Sequence, residues 1–346
     1  MTDTKGPARL SDIAKAAGVS RVAVGRVLNG SGGDHVRVSE ATREKILTIA
    51  RRMNYRPNLM AQQLRGVRSQ LFGVILDTVN APVMYSRLSA LEQEAGRRGY
   101  RLMIGQVHSD PTGIDAYLDD FESRGVEGVI CLLDLMRGYR SSLDPSLAHR
   151  RNIVMHGQPL RPGGMCVRVD TADGVFQATG HLLDRQRSRV GMLLWNEEDA
   201  LCDLRREGYQ AACQSRGIEV DDELIYNADC QTADPTDDVI ERAIDVLVDE
   251  RGAEAIVAPN DVWAVRLIKR LGARGRRVPD EVAIVGYDNL DIAEAVEPEL
   301  TSIDQQHTQY AAAALDLLCE TAGGGQKSTS GRTVTIKPLL RVRRSS

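Results

Sequence analysis

From Leu71 onward, short apolar strands alternate with amphipathic helical segments, and this alternation limits the possible folds more than any other feature of the sequence. Chains with this pattern form parallel sheets covered by helices on both faces. The strands come in two series, which predicts an α/β core of two similar Rossmann-like lobes. Ligands bind such sheets at the carboxyl ends of the strands, so we expect a binding cleft between the lobes. The predicted strands are 71–77, 101–107, 126–133, 152–156, 165–169, 190–195, 224–227, 255–258, 282–287 and 333–340.

The N-terminal segment is built differently, and residues 10–30 read LSDIAKAAGVSRVAVGRVLNG. Apolar residues at helix spacing are followed by Gly18, which supplies a tight turn, and by Ser20, a favourable helix N-cap. A second apolar helical face comes next, and Ser39 can cap a third helix. Two short helices joined by a glycine turn form a helix-turn-helix, whose second helix enters the major groove of DNA. The two apolar faces consist of Leu10, Ile13, Ala14 and Ala17, and of Val24, Val27 and Leu28.

Charge is distributed unevenly along the chain. Residues 1–68 hold 13 Lys and Arg against 5 Asp and Glu, a balance of +8, whereas the remainder has a balance of −12. Only the N-terminal part is therefore suited to a polyanion, since phosphates would repel an acidic body. A solvated basic tail is the alternative interpretation of the charge, and the helix-turn-helix pattern disfavours it.

Composition and motifs exclude several classes of protein. The six cysteines form no CxxC pair and have no histidine at metal-ligand spacing, so we expect buried thiols, no metal site and no cofactor. The sequence has no GxGxxG after a strand, no GxxxxGK[ST] and no GxSxG, which argues against a Rossmann-like enzyme. It has no signal-peptide pattern and no run of roughly 20 apolar residues, so we expect a cytoplasmic protein.

A short segment separates the two parts of the chain. Pro57 interrupts the helical pattern, and Asn58 can cap a new helix that is too short to be stable alone. We therefore predict a helix-turn-helix domain over 1–56, a hinge helix and linker over 57–69, and an α/β core over 70–346.

Several blocks of the sequence together resemble the LacI family of bacterial transcription regulators. They are SDIAKAAGVSRVAVGRVLNG, VSEATREKILTIARRMNYRPNLMAQQLR, GVILDTVNAP and APNDVWAVRLIKRLGARGRRVPDEVAIVGYDNLDIAEAVEPELTSIDQ, in this order. The resemblance implies a periplasmic-binding-protein-like core in which the chain crosses between lobes near 186, near 304 and near 325–332. The N-lobe would then comprise 70–185 and 304–325, and the C-lobe 186–303 and 332–346.

The resemblance also implies a DNA-binding homodimer on a near-palindromic operator. Arg21, Val22 and Arg26 would contact base edges, and Leu64 would insert into the minor groove. Generic phosphate contact remains an alternative for the two arginines, and a simple linker hydrophobe for Leu64. Gly25 replaces the serine usual in the family, and the loop over 30–38 is longer than usual. The implied DNA-binding residues are Ser20, Arg21, Val22, Arg26, Asn29 and Leu64.

For the core, the resemblance implies four polar ligands of a small effector: Asp173, Arg205, Asn260 and Asp288. Asn260 and Asp288 follow predicted strands, where ligands bind. Any of the four could instead be a structural cap or a surface charge. Tyr85 and Trp263 would supply an apolar wall for a sugar, with ordinary packing as the alternative. The expected function is a repressor controlled by a sugar or related polyhydroxy metabolite. A regulator controlled by a protein co-regulator and a solute-binding protein are alternatives.

Overall fold

The computed structural model describes residues 8–29, 38–56, 67–77, 82–108, 111–133, 150, 152–159, 162–195, 200–230, 234–322 and 332–346. The chain divides into two compact units, residues 1–69 and residues 70–346. The predicted hinge residue Leu64 lies outside the described residues.

The first unit contains three helices, α1 (Leu10–Ala17), α2 (Arg21–Asn29) and α3 (Glu40–Arg52). Gly18 ends α1 in the left-handed conformation, with φ of 67°. This confirms the predicted turn, because glycine adopts positive φ without steric cost. The predicted cap Ser39 is also confirmed, since its Oγ accepts a hydrogen bond from the Thr42 backbone N–H at 3.3 Å. The common core of the three helices consists of Ile13, Ala14, Ala17, Val24, Ile46 and Ala50.

The core unit begins with a six-stranded, parallel N-lobe sheet. Its strands are β1 (Leu71–Asp77), β2 (Arg101–Val107), β3 (Val129–Leu132), β4 (Ile153–His156), β5 (Met165–Val169) and β11 (Thr333–Ile336), in the order β11-β5-β4-β3-β1-β2. Its helices are α4 (Pro82–Arg97), α5 (Ile114–Ser123) and α11 (His307–Ala322). Tyr310 and Leu318 of α11 and Leu91 of α4 pack in the core against this sheet.

The C-lobe sheet also has six strands. They are β6 (Val190–Trp195), β7 (Ile225–Ala228), β8 (Ala255–Val257), β9 (Ala283–Asp288), β10 (Thr301–Asp304) and β12 (Leu339–Arg341), in the order β12-β10-β9-β8-β6-β7. Only the β10–β12 pair among them is antiparallel within the described chain. Its helices are α6 (Thr171–Asp184), α7 (Ala200–Gln214), α8 (Asp237–Ile244) with a π turn at Asp245–Glu250, α9 (Asp261–Ala273) and α10 (Ile292–Ala295). Two sheets flanked by helices confirm the predicted two-lobed α/β class.

Two of the expected crossings between lobes are wrong. Helix α6, expected in the N-lobe, packs Val175, Ala178 and Leu182 in the C-lobe core with Val190 and Met192. The first crossing therefore follows β5 rather than lying near 186. Strand–helix alternation does not reveal which of two sheets a helix covers, and this explains the error.

The last predicted strand is also divided. Thr333–Ile336 pairs with β5 in the N-lobe, whereas Leu339–Arg341 pairs with β10 in the C-lobe. Residues 332–336, expected in the C-lobe, thus belong to the N-lobe sheet, and the third crossing lies at Lys337–Pro338. Proline has no N–H to donate to a sheet, so the strand breaks there.

The six cysteines are free, and all except Cys319 are buried, as the sequence predicted. Burial raises the pKa of the Cys131 thiol to about 12, which makes that thiol unreactive. Among the helices that the structure describes, none combines the length and the apolar character needed to cross a membrane.

Candidate functional site

Helix α2 presents an exposed face at its N-terminal end. The Ser20 Oγ accepts a hydrogen bond from the Ala23 N–H at 3.2 Å, which confirms Ser20 as the cap of this helix. Val24 is fully buried and anchors the helix, while Arg21 and Val22 are exposed, Val22 to 54%. An exposed guanidinium beside an exposed aliphatic group can pair with guanine and contact a thymine methyl, respectively.

Two further DNA-contact candidates lie towards the C-terminal end of α2. Arg26 is half-buried, and Asn29 is the last residue of α2. Gly25 is buried within the helix, where glycine lowers helix propensity.

In the core, Asp288 is the last residue of β9 and begins an unusual turn. Asp288 and Asn289 have φ of 114° and 52°, a region that residues other than glycine rarely adopt. Such a conformation persists only where surrounding contacts hold it in place.

Asp261, the first residue of α9, holds this turn. Its Oδ2 accepts the Leu290 N–H at 2.7 Å and its Oδ1 accepts the Ser302 hydroxyl at 2.5 Å, while Ser302 Oγ accepts the Asn289 N–H at 3.0 Å. A Cβ on Gly286 would come within 2.3 Å of Asp261 Oδ1, so glycine is required at that position. Sequence reasoning did not identify Asp261.

Asp288 itself is a buried carboxyl with an altered proton affinity. Burial raises its pKa to about 7, while the Arg205 charge, the hydrogen bond from Gln305 and the Arg87 charge oppose this rise. Arg205 lies on α7 and is also buried, with its Cζ 4.7 Å from the centroid of the Tyr287 ring. The structure therefore brings together two of the four predicted polar ligands, Arg205 and Asp288.

A hydrogen-bonded chain connects the two lobes at Asp288. Gln305 donates from Nε2 to Asp288 Oδ1, and its Oε1 accepts from Arg87 Nη2. Arg87, on the N-lobe helix α4, also donates from Nη1 to His156 Nε2 at 3.0 Å. We call Arg87, His156, Gln305 and Asp288 the inter-lobe network.

Sequence reasoning missed Arg87, His156 and Gln305. One signal was present, because Arg87 interrupts the apolar stripe of Met84, Leu88 and Leu91 on α4. A cation within a buried helical stripe is unusual unless its charge is used.

Several buried polar atoms around the network have no hydrogen-bond partner within the described part of the chain. They are Arg205 Nε, Tyr310 OH and both ring nitrogens of His307. Burial and the Arg87 charge lower the pKa of His307 to about 4 and hold that of His156 well below its usual value. Buried polar groups are normally satisfied, so a cluster of unsatisfied ones suits a polar ligand.

The remaining predicted effector ligands are not part of the inter-lobe network. Asn260 caps α9, its Oδ1 accepting the Trp263 N–H at 3.0 Å, and Trp263 is fully buried in the C-lobe core. Asp173 Oδ2 accepts a hydrogen bond from Gln177 Nε2 at 2.7 Å, and Tyr85 is 46% exposed on α4. Ligand binding by Asp173, Asn260, Tyr85 and Trp263 therefore stays a prediction.

Each of the two units matches a known protein family. Residues 9–58 match the lacI family of bacterial regulatory proteins, and residues 179–346 match a periplasmic binding protein-like domain. The chain combines a LacI-family helix-turn-helix domain with a periplasmic binding protein-like domain. A chain with these two domains is a DNA-binding transcriptional regulator with a ligand-binding core, and its relatives are regulators rather than enzymes.

Individual relatives cover nearly the whole chain. The HTH-type transcriptional repressor PurR of Mannheimia succiniciproducens is 25% identical over 338 residues, which cover 98% of each chain. A transcriptional regulator CelR in complex with cellobiose has 26% identity and a TM-score of 0.68, covering 98% of this chain and 100% of CelR. A Lac repressor dimer bound to operator and the anti-inducer ONPF has 21% identity and a TM-score of 0.80. The match covers 98% of this chain and 99% of the Lac repressor chain. This last likeness shows the fold.

Proposed function

We propose that the chain is a homodimeric repressor whose operator binding is controlled by a small polyhydroxy effector held between the two lobes. The observation that carries this proposal is the buried pair Asp288 and Arg205 at the carboxyl end of β9, linked across the lobes through Gln305 and Arg87. The complex of the related regulator CelR with cellobiose supports a carbohydrate-like ligand.

The proposed chemistry is that of hydroxyl recognition. The Asp288 carboxylate would accept hydrogen bonds from neighbouring hydroxyls, and Arg205, whose Nε has no acceptor among the described residues, would donate to ligand oxygens. Because a ligand hydroxyl would compete with Gln305 for Asp288 Oδ1, binding would alter the link to Arg87. A ligand that favours one arrangement of the lobes shifts the equilibrium between them.

In the DNA-binding unit, Arg21, Val22 and Arg26 are proposed to read base edges, with Ser20 and Asn29 along the phosphates and Leu64 as a minor-groove wedge. The exposure of Arg21 and Val22 on α2 supports this assignment. A homodimer implies a near-palindromic operator with two half-sites.

A thermal-stability screen of the full chain against pentoses, hexoses, sugar acids, sugar phosphates, polyols and nucleosides tests the effector site. A ligand at 100 times its Kd should stabilise the folded state by about 2.7 kcal/mol. We expect at least one such ligand, with the stabilisation lost in Asp288→Asn because the amide replaces the charged acceptor.

The matched control is Asp184→Asn, which removes a carboxylate exposed on α6 and paired with Arg216. The control should respond as the wild type does. Equal stabilisation of the wild type and Asp288→Asn would place the ligand elsewhere, and no stabilisation by any compound would favour control by a protein co-regulator.

A further inference from the structure

The first turn of α11 places two polar rings beside the N-lobe end of the inter-lobe network. His307 and Tyr310 lie three residues apart on this helix, a spacing that makes side chains neighbours. Arg87 Cζ lies 5.1 Å from the centroid of the Tyr310 ring, and the centroids of the Tyr310 and His156 rings are 5.5 Å apart. Burial lowers the pKa of His307, and the nearby Arg87 charge lowers it further. Both rings therefore border the place where Arg87 reaches Gln305.

The crossing that follows β10 fixes where this turn begins. Asp304 accepts hydrogen bonds from Arg341 Nη2 at 2.9 Å and from the Gln306 N–H at 2.8 Å. Gln306 has φ of 55°, and its carbonyl oxygen accepts the Tyr310 N–H at 2.9 Å. Because these hydrogen bonds hold both the crossing and the first turn of α11, they also fix the position of His307.

The polar atoms of the two rings have no hydrogen-bond partner within the part of the chain that the structure describes. Tyr310 is fully buried, and its hydroxyl is unsatisfied there. Both ring nitrogens of His307 are also buried and unsatisfied. A buried donor or acceptor without a partner is costly, so such groups are normally paired. A ligand group that bonds to both rings would remove this cost.

The protonation state of His307 determines which ligand group suits the two rings. With a pKa of about 4, His307 is uncharged near neutral pH. A neutral imidazole has one N–H donor and one nitrogen that can only accept, while a phenol hydroxyl both donates and accepts. A carboxylate has no proton to give to the accepting nitrogen, whereas an alcohol hydroxyl has one and can also accept. An alcohol hydroxyl therefore satisfies both His307 and Tyr310.

We propose that a hydroxyl group of the effector lies against the N-lobe, where it donates a hydrogen bond to a ring nitrogen of His307 and accepts one from the Tyr310 hydroxyl. This inference rests on the proposed function and names the residues that recognise the effector in the second lobe. Asp288 and Arg205 hold the ligand on the C-lobe, so the same ligand is bound by both lobes. His307 and Tyr310 then determine specificity for a hydroxyl at the N-lobe end of the ligand.

The test compares matched ligands by calorimetric titration of the full chain. Glucose, galactose, xylose, ribose and cellobiose are each compared with the analogues that lack a single hydroxyl and with the corresponding sugar acid. The ratio of the affinity for a parent sugar to that for its deoxy analogue is the hydroxyl preference. For at least one sugar we expect a preference of about tenfold or more, because a site that hydrogen-bonds a hydroxyl rejects the analogue lacking it.

Two ring variants, His307→Phe and Tyr310→Phe, assign that preference to the N-lobe. His307→Phe keeps an aromatic ring without nitrogens, so the preference for one hydroxyl should fall below about threefold while the affinity for its deoxy analogue is retained. Tyr310→Phe removes only an unsatisfied buried hydroxyl, so the variant should fold and should weaken the same preference. His307→Gln keeps a donor and an acceptor and should retain most of it.

Tyr117→Phe is the matched control for the ring variants. Tyr117 lies on the N-lobe helix α5, and its hydroxyl already donates to the Gln106 carbonyl oxygen at 3.1 Å. This variant should show the hydroxyl preference of the wild type.

A hydroxyl preference that keeps its wild-type value in either ring variant would overturn the inference, as would a wild type that binds every deoxy analogue as tightly as its parent. If His307→Phe does not fold, Tyr310→Phe still decides. A sugar acid that binds more tightly than its parent, with the advantage lost in His307→Phe, would contradict the hydroxyl assignment. A sugar whose binding is lost in Asp288→Asn but unchanged in both ring variants would leave the proposed function standing and contradict only this inference. No binding by any of these sugars or sugar acids would contradict both.

Discussion

At the scale of single residues, the proposed effector site depends on a strained turn that a neighbouring helix holds in place. Asp288 and Asn289 adopt positive φ, and Asp261 accepts hydrogen bonds from Leu290 and Ser302 beside them. Asp261 is a positioning residue in this account, because it fixes the turn without contacting the proposed ligand.

The buried Asp261 carboxyl makes stability depend on pH in a definite direction. Its pKa of about 8 in the folded chain lies above its ordinary value of 3.8, through burial and the Asp288 charge. The folded state therefore holds a proton that the unfolded state releases above pH 4, and this contribution to stability is lost as pH rises through 8.

Asp261→Asn should accordingly gain stability relative to the wild type between pH 6 and pH 9, because the amide does not titrate. As pH rises from 6 to 9, the Tm of Asp261→Asn should increase by a few degrees relative to the Tm of the wild type. Asp184→Asn is the control, since Arg216 lowers the pKa of Asp184 and that group stays ionised throughout. A difference between Asp261→Asn and the wild type that is constant with pH would contradict the assignment.

At the scale of elements, the sequence predicted most of the strands and helices but not how they divide between lobes. Alternating strands and helices have a local signature, so β1, β2, β5 and β6 were predicted with their observed bounds. The placement of α6 and of β11 depends on contacts between distant segments, which no local pattern records.

The same limit applies to the site. Asp288 follows a predicted strand and could be identified from its position, whereas Arg87 and Gln305 are 218 residues apart and meet only in the folded chain. Arg87 carried a local signal, as a cation within an apolar helical stripe. Gln305 carried none, because its role follows from the crossing between lobes after β10.

The close approach of α6 and α7 gives a prediction at this scale. A Cβ on Gly208 of α7 would come within 2.2 Å of the Ala172 carbonyl oxygen on α6. Gly208→Ala should therefore separate the two helices and destabilise the core by about 1–3 kcal/mol, as overpacking does.

Denaturant unfolding of the full chain measures this effect. Gly96→Ala is the matched control, because a Cβ there meets no described atom within 4 Å and Gly96 lies in α4. That substitution should stabilise by roughly 0.4–1 kcal/mol through helix propensity and chain entropy. Equal effects of the two substitutions would mean that α6 and α7 are not packed as described.

At the scale of the whole molecule, two tasks are divided between two units of opposite charge. The basic N-terminal segment suits DNA, and the acidic remainder carries the proposed effector site. Regulation then requires that ligand binding in one unit change the affinity of the other unit for DNA. Such a coupling typically changes that affinity by a factor of about 5 to 150.

The most direct test of this account measures the affinity of the full chain for an operator selected from a random pool of duplexes. Fluorescence anisotropy is recorded with and without the sugar derivative identified in the stability screen, for the wild type and for Asp288→Asn. We expect the ligand to change the wild-type affinity within the range of about 5- to 150-fold. Asp288→Asn should bind the operator as the wild type does without ligand and should not respond to it. An operator affinity that the ligand leaves unchanged in the wild type, or a full response in Asp288→Asn, would contradict control of DNA binding through this site.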